Sequence, residues 1–243
     1  RSDPKRLVTN GEAEGKSMTS SRPLSLIVLT ALVCCGLPLQ AQDSGRSSGK
    51  TFYCDPQKGS PDGDGSPARP WRTIEEVLAA RLVQFRDADG EPANPSAPVK
   101  PGDTVFLRSG WHGVIRIAKG YNDQFITLGA EPGQTPQVSS VEIGEGRKWR
   151  VKGLTVSPSL APTPPRARPA RNLVMLGEHG SEQSAELIVE DCFIYSALDT
   201  SRWSAKDWIE KPASGIWLGR HGTGHIARNN YILNTRFGIN LCA

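Results

Sequence analysis

The feature that most constrains this chain is a repeated segment in its C-terminal half. Residues 174–180 read VMLGEHG, residues 216–222 read IWLGRHG, and a shorter third copy, GINL, occupies residues 238–241. Repeats of this length indicate a stack of similar units, because a single unit cannot bury its apolar face without a neighbour. The sequence therefore predicts a layered architecture in which each unit rests on the one before it.

A second repeat runs beside the first and sets the register of the stack. Residues 151–156 (VKGLTV), 189–194 (VEDCFI) and 227–232 (ARNNYI) follow one another in steps of 38 residues. The third position of each copy is Gly, Asp or Asn, the residues that most easily adopt a left-handed backbone conformation. We expect the chain to bend there and successive coils to stack in parallel, with their apolar positions in line.

Outward positions of the second repeat form two rows across the predicted coils. The first row is Lys152, Glu190 and Arg228, and the second is Thr155, Phe193 and Tyr231. The first row alternates in charge and is interpreted as structural, since opposite charges on neighbouring strands contribute about 0.2–1 kcal/mol per pair. The second row predicts either a stacking ladder or a surface for sugar rings, and the ladder is favoured.

The N-terminal residues predict export of the protein. Residues 1–17 form a polar leader, 18–41 a secretory signal peptide, 42–50 a linker, and 51–243 the folded domain. Arg22 precedes an apolar run over residues 24–37, as in a signal peptide. A membrane-spanning helix is one alternative, but the run is shorter than the roughly 20 residues needed to cross a bilayer. Lipid attachment at Cys34 or Cys35 is a second alternative. The signal peptide predicts a secreted or periplasmic protein.

Charge and cysteine content exclude one class of partner and leave disulfide bonding open. The formal net charge of +4 falls to +2 outside residues 1–41, where 24 Lys and Arg face 22 Asp and Glu. This balance argues against a nucleic-acid-binding surface. Export permits disulfides, yet Cys54, Cys192 and Cys242 are odd in number, so one bridge or none is expected. Cys192 falls on an apolar position, where a free thiol packs as a small hydrophobic group.

Ahead of the repeats, the sequence predicts one helix and a series of short strands. Thr73 and Glu76 have the spacing of a capping box, and one helical face then carries Ile74, Val77, Leu78 and Leu82. Such a helix is suited to cover the open end of a strand stack. Strands are predicted at residues 51–54, 104–107, 114–117, 125–128, 138–143 and 149–156.

Two of the predicted coils carry insertions at equivalent places, residues 157–171 and 197–213. We expect both to project from one side of the stack, where the loops of repeat proteins form binding sites. The second insertion holds Arg202, Lys206 and the pair Trp203 and Trp208. Indole rings stack on sugar rings while charged groups bind hydroxyls and carboxylates. The alternative, that both tryptophans anchor the loop, stays open.

Several motifs resemble those of secreted right-handed parallel β-helix proteins. They are FYCDP at 52–56, PWRTI at 70–74, PGDTV at 101–105, and Asn229-Asn230, together with the signal peptide. This is the pectate-lyase-like superfamily, which includes pectate, alginate and chondroitin lyases. The resemblance implies an all-β fold, a right-handed parallel β-helix (solenoid) with an N-terminal capping helix, here expected to be truncated at the C-terminus. Leucine-rich repeats are the competing fold and lack support, because no LxxLxL run is present.

The same resemblance implies β-elimination on a uronic-acid polysaccharide. A cation or Arg neutralises the sugar carboxylate, and a Lys, Arg or His removes the proton from the adjacent carbon. The candidates are Lys206 as base, Arg202 or Arg220 as carboxylate partner, and Trp203, Trp208 and Trp217 as sugar platforms. His221 and its repeat partner His179 could act as acid and base or bind a metal. The alternative is that each of these histidines lies in a turn, where its imidazole forms a hydrogen bond with the neighbouring backbone.

Calcium is implied by the resemblance only, and no carboxylate cluster specifies a site for it. The glycine-rich loop around Asp62 and Asp64 lacks the further acidic ligands of an EF-hand, so a plain turn is favoured. The expected partner is a polysaccharide bound by a monomer, with no nucleic acid and no stable membrane span. A non-catalytic carbohydrate-binding or surface-structural β-helix, or a glycoside hydrolase or epimerase on the same fold, is the alternative.

Overall fold

The computed structural model describes residues 49–87, 89–163, 171–177 and 184–241. The predicted leader, the signal peptide and all but the last two residues of the linker lie outside the described residues, as do His179 and Cys242. Among the helices of the described part, none is both long and apolar enough to cross a membrane.

The regular secondary structure of the described residues is mainly β-strand, with two short α-helices and one 3-10 helix. The strands are β1 (Thr51–Cys54), β2 (Thr104–Leu107), β3 (Gly110–Trp111), β4 (Ile115–Ala130), β5 (Pro136–Val138), β6 (Val141–Lys152), β7 (Thr155–Val156), β8 (Asn172–Leu176), β9 (Ile188–Glu190), β10 (Phe193–Tyr195), β11 (Ser214–Leu218), β12 (Ile226–Arg228), β13 (Tyr231–Leu233) and β14 (Ile239–Leu241). The helices are α1 (Ile74–Ala79), α2 (Ala205–Glu210) and the 3-10 helix Pro158–Leu160.

These strands form two sheets in which every pairing between named strands is parallel. In the described residues one sheet has nine strands and the other has five. The first runs in the order β1-β2-β4-β6-β8-β11-β14, with β9 and β12 joined beside β6, and the second runs β13-β10-β7-β5-β3. Both orders follow the chain, as expected when each coil is laid against the previous one. The chain therefore has an all-β, parallel-stranded fold.

The predicted register of both repeats is confirmed. Val189 pairs with Val151 and Ala227, Ile194 pairs with Val156 and Ile232, and Ile216 pairs with Val174 and Ile239. Val151, Val189, Ile194 and Ile216 are all fully buried. A one-residue slip would turn these side chains to the opposite face, so burial maintains the register.

The bends between the strands are also where the sequence predicts them. The φ angles of Gly153, Asp191 and Asn229 are 72°, 56° and 54°. These values lie in the left-handed region, which is costly for most residues and least so for Gly, Asn and Asp. The chain turns from one sheet to the other at these positions.

Glu190 is the centre of the predicted charged row. Its carboxylate is only 5% exposed and accepts a hydrogen bond from Arg228 Nε at 2.7 Å. Lys152 Nζ and Arg150 Nε each lie 3.8 Å from the other carboxylate oxygen. The row therefore connects three successive strands, as the alternation of charge predicts.

The aromatic row pairs in register as well. Phe193 lies between Thr155 and Tyr231, and the Phe193 and Tyr231 rings are 5.4 Å apart. Phe193 also contacts Tyr195 at 4.8 Å between ring centroids. This arrangement supports the stacking ladder.

Four of the predicted strands differ from the structure in their bounds. The runs at 114–117 and 125–128 fall in the single strand β4, which begins at Ile115, because Lys119–Tyr121 between them also pair with β6 before a register shift that ends at Ile126. The Trp149 indole stabilises this stretch by donating to the Gly120 carbonyl at 2.8 Å. The run predicted at 138–143 divides between β5 and β6, and the run at 149–156 divides between β6 and β7 because the left-handed residue Gly153 ends the strand.

Helix α1 begins where the capping residue predicts, since Thr73 Oγ1 accepts a hydrogen bond from the Glu76 amide at 3.2 Å. Ile74 and Val77 are buried in the core, while the Glu76 carboxylate pairs with Arg72. The helix ends at Ala79, because Arg81 takes a φ of 56°, so Leu82 packs on the core from outside the helix.

Cys54 and Cys192 are both buried and both free thiols. The Cys192 sulfur accepts a hydrogen bond from the Leu154 amide at 3.4 Å, and the thiol donates one to the Glu190 carbonyl at 3.2 Å. The interpretation of Cys192 as a small core residue is confirmed. No bridge joins these two described cysteines.

Candidate functional site

A groove of about 450 Å³ lies against β8, β11 and β14 of the larger sheet. It is lined by Arg171, Asn172, Glu210, Pro212, Ala213, Ser214, Trp217, Arg236, Phe237 and Asn240. The lining combines two aromatic rings, amide and hydroxyl groups, two cations and one carboxylate. Concave sites of this mixed character are the usual form of ligand-binding pockets.

Trp217 provides the aromatic floor of the groove. It lies in β11, paired with Met175 of β8 and Asn240 of β14. The preceding residue, Ile216, is fully buried, so alternation along the strand places the half-buried Trp217 ring on the outer face. The repeat therefore positions this side chain.

Two arginines are held at the edge of the groove by backbone hydrogen bonds. The Ser214 amide donates to the Arg171 carbonyl at 3.0 Å, and the Arg236 amide donates to the Ala213 carbonyl at 2.9 Å. Both arginines are exposed, and the Arg236 guanidinium also donates to the carbonyl of Ile209 in α2. Arg236 thus connects the turn before β14 to the helix beside the groove.

Helix α2 borders the groove at its last residue, Glu210, and local contacts stabilise the helix. Ser204 and Asp207 form a reciprocal capping box, and Lys211 Nζ lies 2.8 Å from the Asp207 carboxylate. The hydrogen bond from Lys211 and those from Ser204 hold the pKa of Asp207 well below its usual range. Glu210, the last residue of the helix, lines the groove, and Lys206 Nζ lies 4.0 Å from it.

Trp203 and Trp208 pack against each other edge to face, with their ring centroids 4.9 Å apart. Lys211 Nζ lies 5.9 Å from the Trp203 ring centroid. The two rings thus belong to the α2 cluster, and Trp208 keeps 41% of its surface exposed. Neither ring lines the groove.

Of the seven predicted site residues, Trp217 lines the groove. Lys206 and Trp208 lie in α2 and Trp203 just before it, all outside the groove lining, and Arg202 is exposed in the same preceding turn. Arg220 and His221 are exposed in the turn after β11, outside the groove lining. The catalytic roles given to these residues stay predictions.

The sequence analysis missed Arg171, Arg236, Glu210, Asn172 and Asn240, which complete the lining. Asn240 could have been found by extending the repeat register, since it lies level with Trp217. The spacing of Ser204 and Asp207 is a capping signal that could have predicted α2. Arg236 carried no such signal, because its contact with Ile209 joins residues 27 positions apart.

The described histidines lie apart from the groove lining. His112 is fully buried, its Nε2 lies 2.7 Å from the Arg108 carbonyl, and burial lowers its pKa. His225 Nδ1 accepts a hydrogen bond from the Leu187 amide at 3.3 Å, and burial lowers the pKa of this imidazole too. Both rings make structural contacts with backbone.

A second cavity, of about 530 Å³, lies among the first strands and is lined by Asp55, Arg108 and Glu131, among others. Arg108 pairs with both carboxylates, at 3.3 Å from Asp55 and 2.8 Å from Glu131. Arg108 is therefore neutralised by two carboxylates, whereas no ion pair is found for the two exposed arginines of the groove among the described residues.

The structure favours a turn over a metal site in the glycine-rich loop. Asp64 accepts the Ser66 amide at 2.9 Å, and its other oxygen lies 3.4 Å from Arg69. Across the described residues, no group of three or more His, Cys, Asp or Glu side chains is arranged to hold a metal ion.

Comparisons with known proteins give one distant likeness. The sequence matches no protein-family model and no curated protein. Among solved structures, the fold is similar to a rhamnogalacturonan lyase, with 18% sequence identity and a TM-score of 0.41. The match covers 79% of this chain and 45% of that chain, so this chain spans less than half the length of that protein.

Proposed function

We propose that this protein binds an acidic polysaccharide in the groove against β8, β11 and β14. The observation that carries the proposal is the presence of a half-buried Trp217 ring together with the exposed cations Arg171 and Arg236. An indole face stacks on the apolar face of a sugar ring, and guanidinium groups bind carboxylates with two parallel hydrogen bonds. Asn172 and Asn240 supply amide groups for the sugar hydroxyls.

Binding is tested by titrating the protein with uronic-acid polymers in a calorimeter. Trp217→Ala is expected to weaken binding about fivefold to tenfold, because it removes the stacking platform. Met175→Ala is the matched control, since Met175 pairs with Trp217 on the neighbouring strand and does not line the groove. Equal losses in the two variants, or no binding to any acidic polymer, would contradict the proposal.

Cleavage of the bound chain by β-elimination is the second part of the proposal. Arg171 or Arg236 would neutralise the carboxylate and so acidify the adjacent C–H bond. Lys206, whose Nζ lies 4.0 Å from the groove residue Glu210, would act as the base that accepts the proton. The electron pair of the C–H bond then forms the C=C double bond, the C–O bond to the glycosidic oxygen breaks, and that oxygen leaves with the C–O electron pair and takes a proton from solvent water.

The unsaturated product of elimination absorbs ultraviolet light, which provides the assay. Lys206→Ala is expected to abolish product formation while binding persists, and Lys58→Ala removes a lysine charge outside the groove as a control. Binding of a polymer with no unsaturated product would favour the alternative, a non-catalytic carbohydrate-binding protein.

The proposal extends to fold and location. The parallel pairing, the strand order along the chain and the steps of 38 residues support a right-handed parallel β-helix with α1 at its N-terminal end. The apolar run after Arg22 supports export of the protein. N-terminal sequencing of exported protein is expected to begin after residue 41, and recovery of the uncut chain inside the cell would contradict export.

A further inference from the structure

The aromatic row of the smaller sheet extends across all five described strands of that sheet. Each strand contributes one residue, and consecutive members are paired in register: Trp111, Gln137, Thr155, Phe193 and Tyr231. We call these five residues the extended row. Since neighbouring strands lie about 4.8 Å apart, the four steps of the row cover about 19 Å along the stack.

The side chains of the extended row point away from the core. The residues before and after Gln137, Thr155 and Phe193 are all buried, and successive residues of a strand face opposite ways. At one end of the row, Trp111 is half-buried and precedes a fully buried residue. At the other end, Tyr231 keeps 64% of its surface exposed.

Four polar side-chain groups lie along this row, and none of them forms a hydrogen bond within the described part of the chain. They are the indole N–H of Trp111, the amide of Gln137 and the hydroxyls of Thr155 and Tyr231. The polar side chains beside the sheet differ, since the Ser109 hydroxyl donates to the Gln134 side chain at 2.8 Å. The donors and acceptors of the extended row are therefore available to a ligand.

The extended row is narrow and carries no charged residue. Two residues further along the chain, the next positions on the same face are covered, because Ser157 and Tyr195 are 0% and 2% exposed. A stable protein partner usually covers about 800 Å², which requires a broad patch. A row one residue wide instead matches a thin, extended ligand, and an acidic chain would find no cation in it.

We infer that the extended row binds a neutral polysaccharide chain lying along the stack. The apolar faces of sugar rings stack on Trp111 at one end and on Tyr231 at the other. Between these rings, the Gln137 amide and the Thr155 hydroxyl bond sugar hydroxyls. Phe193 holds the Tyr231 ring in the row, with 5.4 Å between the ring centroids. This site lies on the smaller sheet, apart from the groove, and does not rest on the proposed function.

Calorimetric titration with water-soluble neutral polymers tests this site. The probes are hydroxyethyl cellulose, glucomannan and galactan, and polygalacturonate is the acidic comparison. We expect at least one of the neutral polymers to bind. Tyr231→Ala is expected to weaken that binding about fivefold to tenfold, because it removes a stacking ring. Any binding of polygalacturonate is expected to be the same in this variant as in the unaltered protein.

Leu241→Ala is the matched control for the loss of an exposed apolar side chain from the last coil. Leu241 is 69% exposed, lies in β14 of the larger sheet and belongs neither to the extended row nor to the groove lining. Its truncation is expected to leave binding of the neutral polymer unchanged. Thr155→Val keeps the shape of the side chain and is expected to weaken binding about threefold to tenfold, through one lost hydrogen bond. Thermal denaturation checks that each variant is folded.

Three results would overturn the inference. They are the failure of all three neutral polymers to bind, unchanged neutral binding in Tyr231→Ala, and an equal loss of polygalacturonate binding in that variant. A dimer in gel filtration that Tyr231→Ala dissociates would also overturn it, because the row would then be an interface between copies. Neutral binding that depends on Tyr231 supports the inference even where no acidic polymer binds, so this inference and the proposed function fail separately.

Discussion

Ile194 provides the most direct test of the stacked register. Its side chain is fully buried and pairs with Val156 on one side and Ile232 on the other. Ile194→Ala removes three carbon atoms, which corresponds to about 2.4 kcal/mol of transfer free energy at about 0.8 kcal/mol each. The enclosed cavity that remains raises the expected loss in the free energy of unfolding to about 3–4 kcal/mol.

Ile232→Ala is the matched control, because it makes the same chemical change one coil later. Ile232 is only half-buried, so part of its surface stays in water and the space left by truncation opens to solvent. We expect the free energy of unfolding to fall by about 1–1.5 kcal/mol there, because about half of the transfer free energy is lost and little enclosed cavity remains.

Urea denaturation followed by tryptophan fluorescence and far-ultraviolet circular dichroism measures both losses. Agreement of the two probes checks that the stack unfolds in one step, since repeat proteins can unfold in parts. Equal losses at the two positions, or a larger loss at Ile232, would refute the argument that a coil gains its stability from neighbours on both sides.

Three further predictions test the long strands, the helix beside the groove and the core thiol. Trp149→Phe is expected to cost about 2–3 kcal/mol in urea denaturation, because it leaves the buried Gly120 carbonyl without its 2.8 Å donor; a loss below about 0.5 kcal/mol would contradict this contribution. The depressed pKa of Asp207 means that its stabilisation of α2 is present above the usual carboxyl pKa and is lost as the pH falls towards and through the lowered value. Near-ultraviolet circular dichroism should therefore change in acid, whereas D207N should show the acid-form spectrum already at neutral pH. Burial raises the pKa of Cys192 to about 11, so iodoacetamide should label this residue only after unfolding, and rapid labelling of native protein would contradict its burial.

The stacked part of the fold could be predicted because each coil repeats the same physical requirements. Val151, Val189 and Ala227 fill the same inward position, and Gly153, Asp191 and Asn229 fill positions that need a left-handed backbone. Such requirements recur at fixed spacing, and the printed sequence is enough to align them. The pairing of these residues in the structure follows that alignment.

The first coils were harder to predict because they do not share this spacing. The continuity of β4 depends on pairing with β6 and on the contact between Trp149 and Gly120, which are 29 residues apart. No local sequence pattern predicts pairing between residues that are so far apart in the chain. Sequence periodicity therefore predicted separate strands where the structure has one.

The sequence by itself determined the parallel register and the bends, and it identified Trp217 as a candidate sugar platform. Tertiary structure decided which residues join that ring in the groove, because Arg171, Glu210 and Arg236 come from three separate segments. Their proximity depends on how the loop before β11 folds against the turn before β14, through Arg236 and the carbonyl of Ile209. Repetition specifies contacts between equivalent positions, whereas contacts between an insertion and a neighbouring coil have no equivalent elsewhere in the chain.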